Sequence, residues 1–241
     1  CSGDYFFITF RLGGSVNQVE LNFHEKNYML DFPDEVDILG MGSANPLSDP
    51  ARKILQALDK PISAPSLREI IRSKNAKASL TDLTAAIVVS DTTRPVPYRG
   101  PSDILKPLVN ILIAEGVKPE NIRVLIATGT HRGLTQDEIA EMVEPSVLSS
   151  GIQIINHDCL DVSNLTHLGE TSRGSSILIN SLFIDSDMRI LTGLVESHFM
   201  AGVSGGRKSV CPGLVGEEST YIFHGPEMMA HPMVKDLQLE G

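Results

Sequence analysis

Cysteine is scarce in this chain. Only Cys1, Cys159 and Cys211 occur, and no two of them form a CxxC pair. A disulfide framework needs more thiols than this, so a reducing, cytoplasmic setting is expected. Positive charge is also in deficit: 20 Lys and Arg against 30 Asp and Glu leave a formal charge of −10. That balance argues against a nucleic-acid surface, while a local basic pocket stays compatible with it. No apolar run approaches the ~20 residues that span a bilayer, and no signal peptide precedes the first strand, so no membrane partner is expected. Internal repeats and low-complexity tracts are lacking too. The chain has no starting methionine and stops at Leu239-Glu240-Gly241, which reads as a piece excised from a longer protein.

What is present is ordinary globular composition, 41% hydrophobic and 21% charged over 241 residues, enough for one large α/β domain or for one domain plus a small appendage. Residues 1–40 alternate in β fashion, with Tyr5–Phe10 as one strand, a turn at Gly13-Gly14, and Val19, Leu21 and Phe23 on one face. Residues 41–84 read as a Gly/Ser/Asn/Pro-rich connector and two short helices, the second opened by the capping-box spacing Ser66-Leu-Arg-Glu69. Residues 85–241 switch to strand–loop–helix units. Ala85–Val89 is a continuous apolar run, as expected of a strand covered on both faces. Ser102 is placed to cap a helix bearing Ile104, Leu105, Leu108, Val109 and Leu112. Arg123–Ala127 is the next strand, and Thr135-Gln-Asp-Glu138 opens another helix that ends near Pro145. Further strands are expected at Ile152–Ile155, Ile177–Ile179 and Arg189–Leu191. The expected fold is α/β: a Rossmann-like, largely parallel sheet with flanking helices, preceded by a small N-terminal β region.

In open α/β sheets ligands bind outside the carboxyl ends of the strands. The residues just after three expected strands are Ser90-Asp-Thr-Thr-Arg-Pro95, Thr128-Gly-Thr-His131 and Thr192-Gly-Leu-Val-Glu-Ser-His198. One rim should therefore carry Asp91, Arg94, His131 and His198. Asp91 and Arg94, three apart, suit either a local ion pair or a grip on a carboxylate. Thr128-Gly129-Thr130 suits either a phosphate cradle or a tight turn.

The last of these loops runs on into Ser204-Gly-Gly-Arg-Lys208. Glycines let backbone N–H groups approach an anion, and Lys208 adds a charge or a nucleophilic amine. The spacing is not that of a Walker A sequence, which disfavours an ordinary nucleoside triphosphatase. Cys211 reads as a small buried cysteine. His24, His157 and His167 lie outside the rim pattern and read as surface or structural groups. His224 and His231, seven apart, would share a face if their segment were helical, and Met228-Met229 reads as core filling.

Taken together, Ser90-Asp-Thr-Thr-Arg-Pro95, Gly129-Thr-His-Arg132, His198, Ser204-Gly-Gly-Arg-Lys208 and His224 resemble the nickel-pincer-dependent lactate racemases and related 2-hydroxyacid racemases and epimerases. The resemblance covers almost the whole chain, most securely from Ala85 to Gly241. It implies an isomerase that racemises or epimerises a lactate-like 2-hydroxyacid by reversible hydride transfer to a nickel-pincer mononucleotide of the pyridinium-3,5-dithio type. On that resemblance Lys208 is the covalent tether, His224 the protein ligand to nickel, and His131 and His198 the two catalytic histidines. Arg94 and Asp91 match the substrate region, with Thr128, Thr130, Gly205, Gly206 and Arg207 on the cofactor. The implied partners are the 2-hydroxyacid and the enzymes that make the cofactor and insert nickel. Family members continue into a C-terminal domain that closes over the site, and this chain stops before it. Two readings from other classes stand beside this one. One is a zinc-dependent hydrolase with His131, His198 and His224 around the ion, and the other is a non-catalytic domain binding a phosphate ligand.

Overall fold

The computed structural model describes residues 16–23, 26–36, 45–75, 82–198 and 200–235. The chain divides into two compact units, residues 1–48 and 49–241. In the first, β1 (Val16–Phe23) and β2 (Lys26–Val36) form an antiparallel pair, with Val19 opposite Leu30 and Leu21 opposite Tyr28. The alternation around Val19 and Leu21 thus sits on a strand. The expected strand Tyr5–Phe10 and the turn at Gly13-Gly14 lie outside the described residues, as does His24.

The second unit opens with two helices. Asp49 caps α1 (Pro50–Asp59) by accepting the Arg52 N–H at 3.1 Å, and Pro50 supplies the fixed φ suited to a first helical position. At α2 (Leu67–Asn75) the capping box forms as its spacing predicts: Ser66 N–H donates to Glu69 Oε2 at 2.8 Å, and Glu69 N–H to Ser66 Oγ at 3.3 Å. The helix after the next strand departs from expectation. Ile104 holds the N-cap position of α3 (Leu105–Ala114) without a side-chain cap, and the first-turn N–H groups of Leu105 and Lys106 are met by Asp103 Oδ1, at 2.7 and 3.2 Å, rather than by Ser102.

Four strands make the central sheet: β3 (Ala85–Ser90), β4 (Ile122–Ala127), β5 (Gln153–Asn156) and, beyond a hairpin, β8 (Met188–Leu191). All are parallel, in the order β5-β4-β3-β8. The helices α4 (Gln136–Met142, with the Thr135/Glu138 capping box) and α5 (Pro145–Leu148) carry the chain from β4 to β5. Strand β3 is buried on both faces, as its apolar run requires. Ala85, Ile87 and Val89 pack with Leu105, Leu108 and Leu112 of α3, while Ala86 and Val88 pack on the other side with Leu125, Phe183 and Leu214.

One expected strand pairs elsewhere. Ile177–Ile179 lies in β7 (Ser176–Asn180), which pairs antiparallel with β6 (Leu165–Glu170) in a separate two-stranded sheet. The turn at Gly174 brings the chain straight back onto the preceding segment, which closes a hairpin before any crossover helix can intervene. The short helix α6 (Ser181–Ile184) then leads into β8. Two-residue strands β9 (Ser197–His198) and β10 (Gly202–Val203) pair antiparallel, and α7 (Glu217–Phe223), α8 (Pro226–Met229) and α9 (Pro232–Lys235) follow. His224 and His231 therefore do not share a helix face, since Pro226 and Pro232 each begin a new helix. No helix among the described residues is long and apolar enough to cross a membrane.

His157 ties this framework together at the end of β5. It is 2% exposed, its Nε2 donates to Val215 O at 3.0 Å, and its Nδ1 accepts from the Asn180 amide at 3.2 Å. Burial holds its pKa below the ordinary histidine value, so the folded state favours the neutral ring. A depressed folded pKa contributes stability above the unfolded value of about 6.5, and that contribution is lost as pH falls through the folded value. The urea midpoint should therefore drop as pH is lowered from about 7.5 to about 5.5, and His157→Gln should flatten part of that slope. An unchanged slope in the variant would remove His157 from this role.

Candidate active site

The parallel register puts the strand ends at one level. Ser90 pairs with Ala127, and Val88 with Leu191. In the order β5-β4-β3-β8 the chain runs outward from β3 and returns beside it as β8, so the crevice at this edge is where an α/β sheet places a ligand. A cavity of about 650 Å³ opens there. Asp91, Arg94, Thr128, Thr130 and His131 line it from the ends of β3 and β4. Gly205, Lys208 and His224 line it from the segment after β8. His198, Gly206 and Arg207 do not line this cavity. His198 nevertheless stands close enough for the charges of Lys208, Arg94 and His224 to act on it, while Gly206 and Arg207 are exposed.

Asp91 and Arg94 do not pair with each other through their side chains. Asp91 is 5% exposed, and its Oδ1 accepts from the Thr93 backbone and hydroxyl at 3.1 and 2.5 Å. Its Oδ2 meets His131 Nδ1 at 2.6 Å. A carboxylate only accepts, so Nδ1 carries the proton and the lone pair of His131 is on Nε2. This is the arrangement that orients an imidazole as a base. Arg94 reaches instead across to the loop after β8, where Nη1 donates to Glu196 Oε1.

His198 is held in the opposite sense. Its Nδ1 accepts the backbone N–H groups of Met200 and Ala201 at 3.3 and 3.2 Å, which places the proton of the neutral ring on Nε2. Burial, then the cations Lys208 and Arg94, lower its pKa and favour that neutral ring. Burial and then Lys208 do the same for His224. Lys208 itself is depressed, first by burial and then by Arg94, with Glu196 opposing. A depressed amine has a larger neutral, nucleophilic fraction near neutral pH.

The turns take their shape from close backbone approaches. Gly205 has φ +72°, and a Cβ there would come within 3.0 Å of Leu194 O. Gly213 approaches Ser209 and Ala127 so tightly that a Cβ would meet Ser209 O at 2.3 Å. Its carbonyl accepts the Gly129 N–H at 3.1 Å, which joins the loop after β4 to the Lys208 segment. The Thr128 hydroxyl is committed to His157 O at 2.7 Å, so it braces the turn, while the exposed Thr130 lines the cavity.

Several groups at the site carry no motif in the sequence. Tyr98, 2% exposed, accepts the Ser90 N–H at 2.7 Å and meets Thr192 Oγ1 at 2.9 Å, and the Thr192 hydroxyl donates to Val88 O at 2.7 Å. Ser209 Oγ in turn donates to Thr192 O at 3.0 Å. This chain fastens the ends of β3 and β8 below the cavity. Glu196 and Gly213 are the other two. Each acts through a partner distant in sequence, so local spacing gives no signal for them. A smaller cavity of about 220 Å³ adjoins the first, sharing Lys208 and His224 with a lining of Met200, Ala201, Cys211, Phe223, Met228 and others. Cys211 is accordingly exposed rather than buried, since the turn that carries it faces this hollow. Met228 lines the hollow and Met229 is 41% exposed, so neither fills the core as the sequence suggested.

The sequence matches the family described as lactate racemase N-terminal domain over residues 23–236. The chain belongs to that family. A lactate racemase of Thermoanaerobacterium thermosaccharolyticum is 30% identical over 228 residues, covering 92% of this chain and 50% of that protein. A lactate racemase of Lactiplantibacillus plantarum is 32% identical over 180 residues, covering 75% of this chain and 39% of that protein. The chain thus spans half or less of the length of the curated relatives it matches. Among solved structures, the lactate racemase apoprotein of T. thermosaccharolyticum superposes with a TM-score of 0.72 at 29% identity, over 90% of this chain and 48% of that one. A Thermotoga maritima protein gives 0.50 at 25% identity, over 66% and 41%. The lactate racemase N-terminal fold therefore agrees with the parallel sheet and flanking helices described above.

Two outcomes follow from this geometry. Limited acylation at about pH 8 should label Lys208 ahead of exposed lysines such as Lys53, as read by peptide mass mapping. Labelling at equal or lower rates would contradict the depressed amine. Gly213→Ala should cost about 2 kcal/mol or more in chemical denaturation, because the clash is with backbone and not with a yielding side chain. A neutral result would mean that the turn has room for a Cβ.

Proposed function

We propose that this chain is the cofactor-binding portion of a 2-hydroxyacid racemase or epimerase, with lactate the first substrate to try. The observation that carries the reading is the cavity at the strand ends. It brings a carboxylate-backed imidazole, a guanidinium, a depressed lysine amine and the His224 imidazole together, with the His198 ring beside them. Membership of the lactate racemase N-terminal domain family supports it.

Each group has a task that its surroundings suit. Arg94 offers the planar fork that grips a substrate carboxylate, and so keeps C2 and its hydroxyl near the two imidazoles. His131, oriented by Asp91 through Nδ1, takes the hydroxyl proton at Nε2. His198 is the proton-handling group assigned to the opposite enantiomer, and to accept a proton it must turn from the backbone N–H groups at Nδ1, since its neutral ring holds a proton on Nε2. Removing the C2 hydrogen as a proton is difficult, because a carboxylate stabilises a carbanion poorly. The chemistry needs a hydride acceptor instead.

The residues present fit a nickel-pincer mononucleotide on two counts. The Gly205–Gly206 turn, with both φ positive, brings the Gly205 backbone to the cavity wall that Thr130 also lines, where a phosphate would sit against it. Lys208 supplies a nucleophilic amine for a covalent tether, and His224 one imidazole for the metal. When bound, the group would supply the hydride-accepting centre. Among the described residues no three His, Cys, Asp or Glu side chains gather as a metal-binding group. The three-imidazole zinc site of a hydrolase therefore has no counterpart in His131, His198 and His224.

The test uses the full-length protein co-produced with cofactor-making and nickel-inserting enzymes. Added mass at Lys208, near-stoichiometric nickel and interconversion of lactate or another single-enantiomer 2-hydroxyacid are expected. His131→Ala and His198→Ala should each lower turnover by about 10²-fold or more. Protein that carries neither adduct nor nickel, and converts no member of a 2-hydroxyacid panel, would overturn the reading.

A further inference from the structure

Arg94 already holds a carboxylate. Its Nη1 donates to Glu196 Oε1, and the two side chains are 30% and 39% exposed, half-buried at the mouth of the site. Glu196 is not a loose surface acid. Its N–H donates to Ser204 Oγ at 3.0 Å, its carbonyl accepts the Ser204 N–H at 2.9 Å, and the Ser204 hydroxyl is anchored on Leu194 O at 2.6 Å. Ser204 is itself 2% exposed. The backbone at Glu196 is thus clamped on both sides, and its side chain is presented to the guanidinium. The Glu196 charge also opposes the depression of the Lys208 and His198 pKa values.

A 2-hydroxyacid carboxylate seeks the same donors. Nη1 is engaged by Glu196, so an incoming carboxylate meets a guanidinium whose charge is already partnered and finds the Nη1/Nη2 edge occupied, with the Nε/Nη2 edge left to it. We infer that Glu196 is an internal competitor for the substrate carboxylate on Arg94, and so sets the affinity of the site for small carboxylates. This rests on the reading of Arg94 as the carboxylate grip. An incoming carboxylate must displace Glu196 or share its cation. That cost falls on binding of the carboxylate, so it raises KM. A small acid that brings only its carboxylate does not recover that cost. An acid whose hydroxyl also reaches His131 or His198 does.

The test compares wild type, Glu196→Gln and Glu196→Ala in the full-length protein, first without cofactor. The glutamine keeps the shape and an oxygen acceptor while removing the charge, and the alanine removes the contact altogether. Dissociation constants for oxamate, acetate and each lactate enantiomer are read by calorimetry or ligand-observed NMR, with thermal melts to verify folding. Both variants should bind oxamate and lactate about two- to fivefold more tightly than wild type, the size expected for releasing one partly exposed ion pair. Arg94→Gln should abolish the gain in either background. In loaded protein KM should fall by a similar factor, and Arg94→Gln should remove that fall. Unchanged or weaker binding in both variants, or no binding by any of the proteins, would overturn the inference. A residue that merely aims Arg94 predicts weaker binding and a higher KM on its removal. Tighter carboxylate binding without racemisation would leave this inference standing and retire the racemase reading instead.

Discussion

Parallel pairing of β3 with its two neighbours is the constraint from which the site follows. In the register observed, Ser90 faces Ala127 and Val88 faces Leu191, so three chain segments leave the sheet at one edge and in one direction. The hydrogen-bond chain from Ser90 N–H through Tyr98 and Thr192 to Val88 O fixes two of those exits against each other. Gly213 O fixes the third by accepting the Gly129 N–H. A one-residue slip of β8 would turn its side chains to the other face and carry Thr192 out of reach of Tyr98. The loops bearing Arg94, His131 and Lys208 would then no longer surround one cavity.

The polar groups above this edge work in pairs drawn from different segments. Asp91 serves His131, Glu196 serves Arg94, and the backbone of residues 200 and 201 serves His198. For the two histidines the pairing decides which ring nitrogen carries the proton and which offers a lone pair. The two histidines consequently present different faces: His131 offers its Nε2 lone pair, and His198 holds its proton on Nε2. Chemically equivalent residues have become inequivalent through their second contacts.

Much of the framework is legible in the residues. The apolar run Ala85–Val89 states a doubly covered strand, and the Ser66/Glu69 and Thr135/Glu138 spacings state two helix starts, because each depends on neighbours within four positions. The gathering of Asp91, Arg94 and His131 at strand ends is legible too, once the strands are parallel, whereas His198, expected on the same rim, does not line the cavity and His224 was singled out by the resemblance. Features set by near-equal local alternatives are less so. Ser102 and Asp103 both offer a side-chain oxygen ahead of α3, and only its start at Leu105 puts Asp103 on the first-turn N–H groups. Ile177–Ile179 is a strand whichever sheet it joins, and pairing with β6 decided that.

Residue identities by themselves determined the inventory: an acidic chain, short amphipathic helices, buried strands, and imidazoles, a lysine and an arginine following those strands. The tertiary structure decided the partners. Whether Arg94 meets Asp91 three residues away or Glu196 across the site is a contest between a local turn and a long-range contact. The turn lost because Asp91 is already committed to Thr93 and His131. Local spacing records which groups are near in sequence, whereas hydrogen bonds and ion pairs form between groups that are near in space. At a site assembled from several strand ends those two measures of nearness part company.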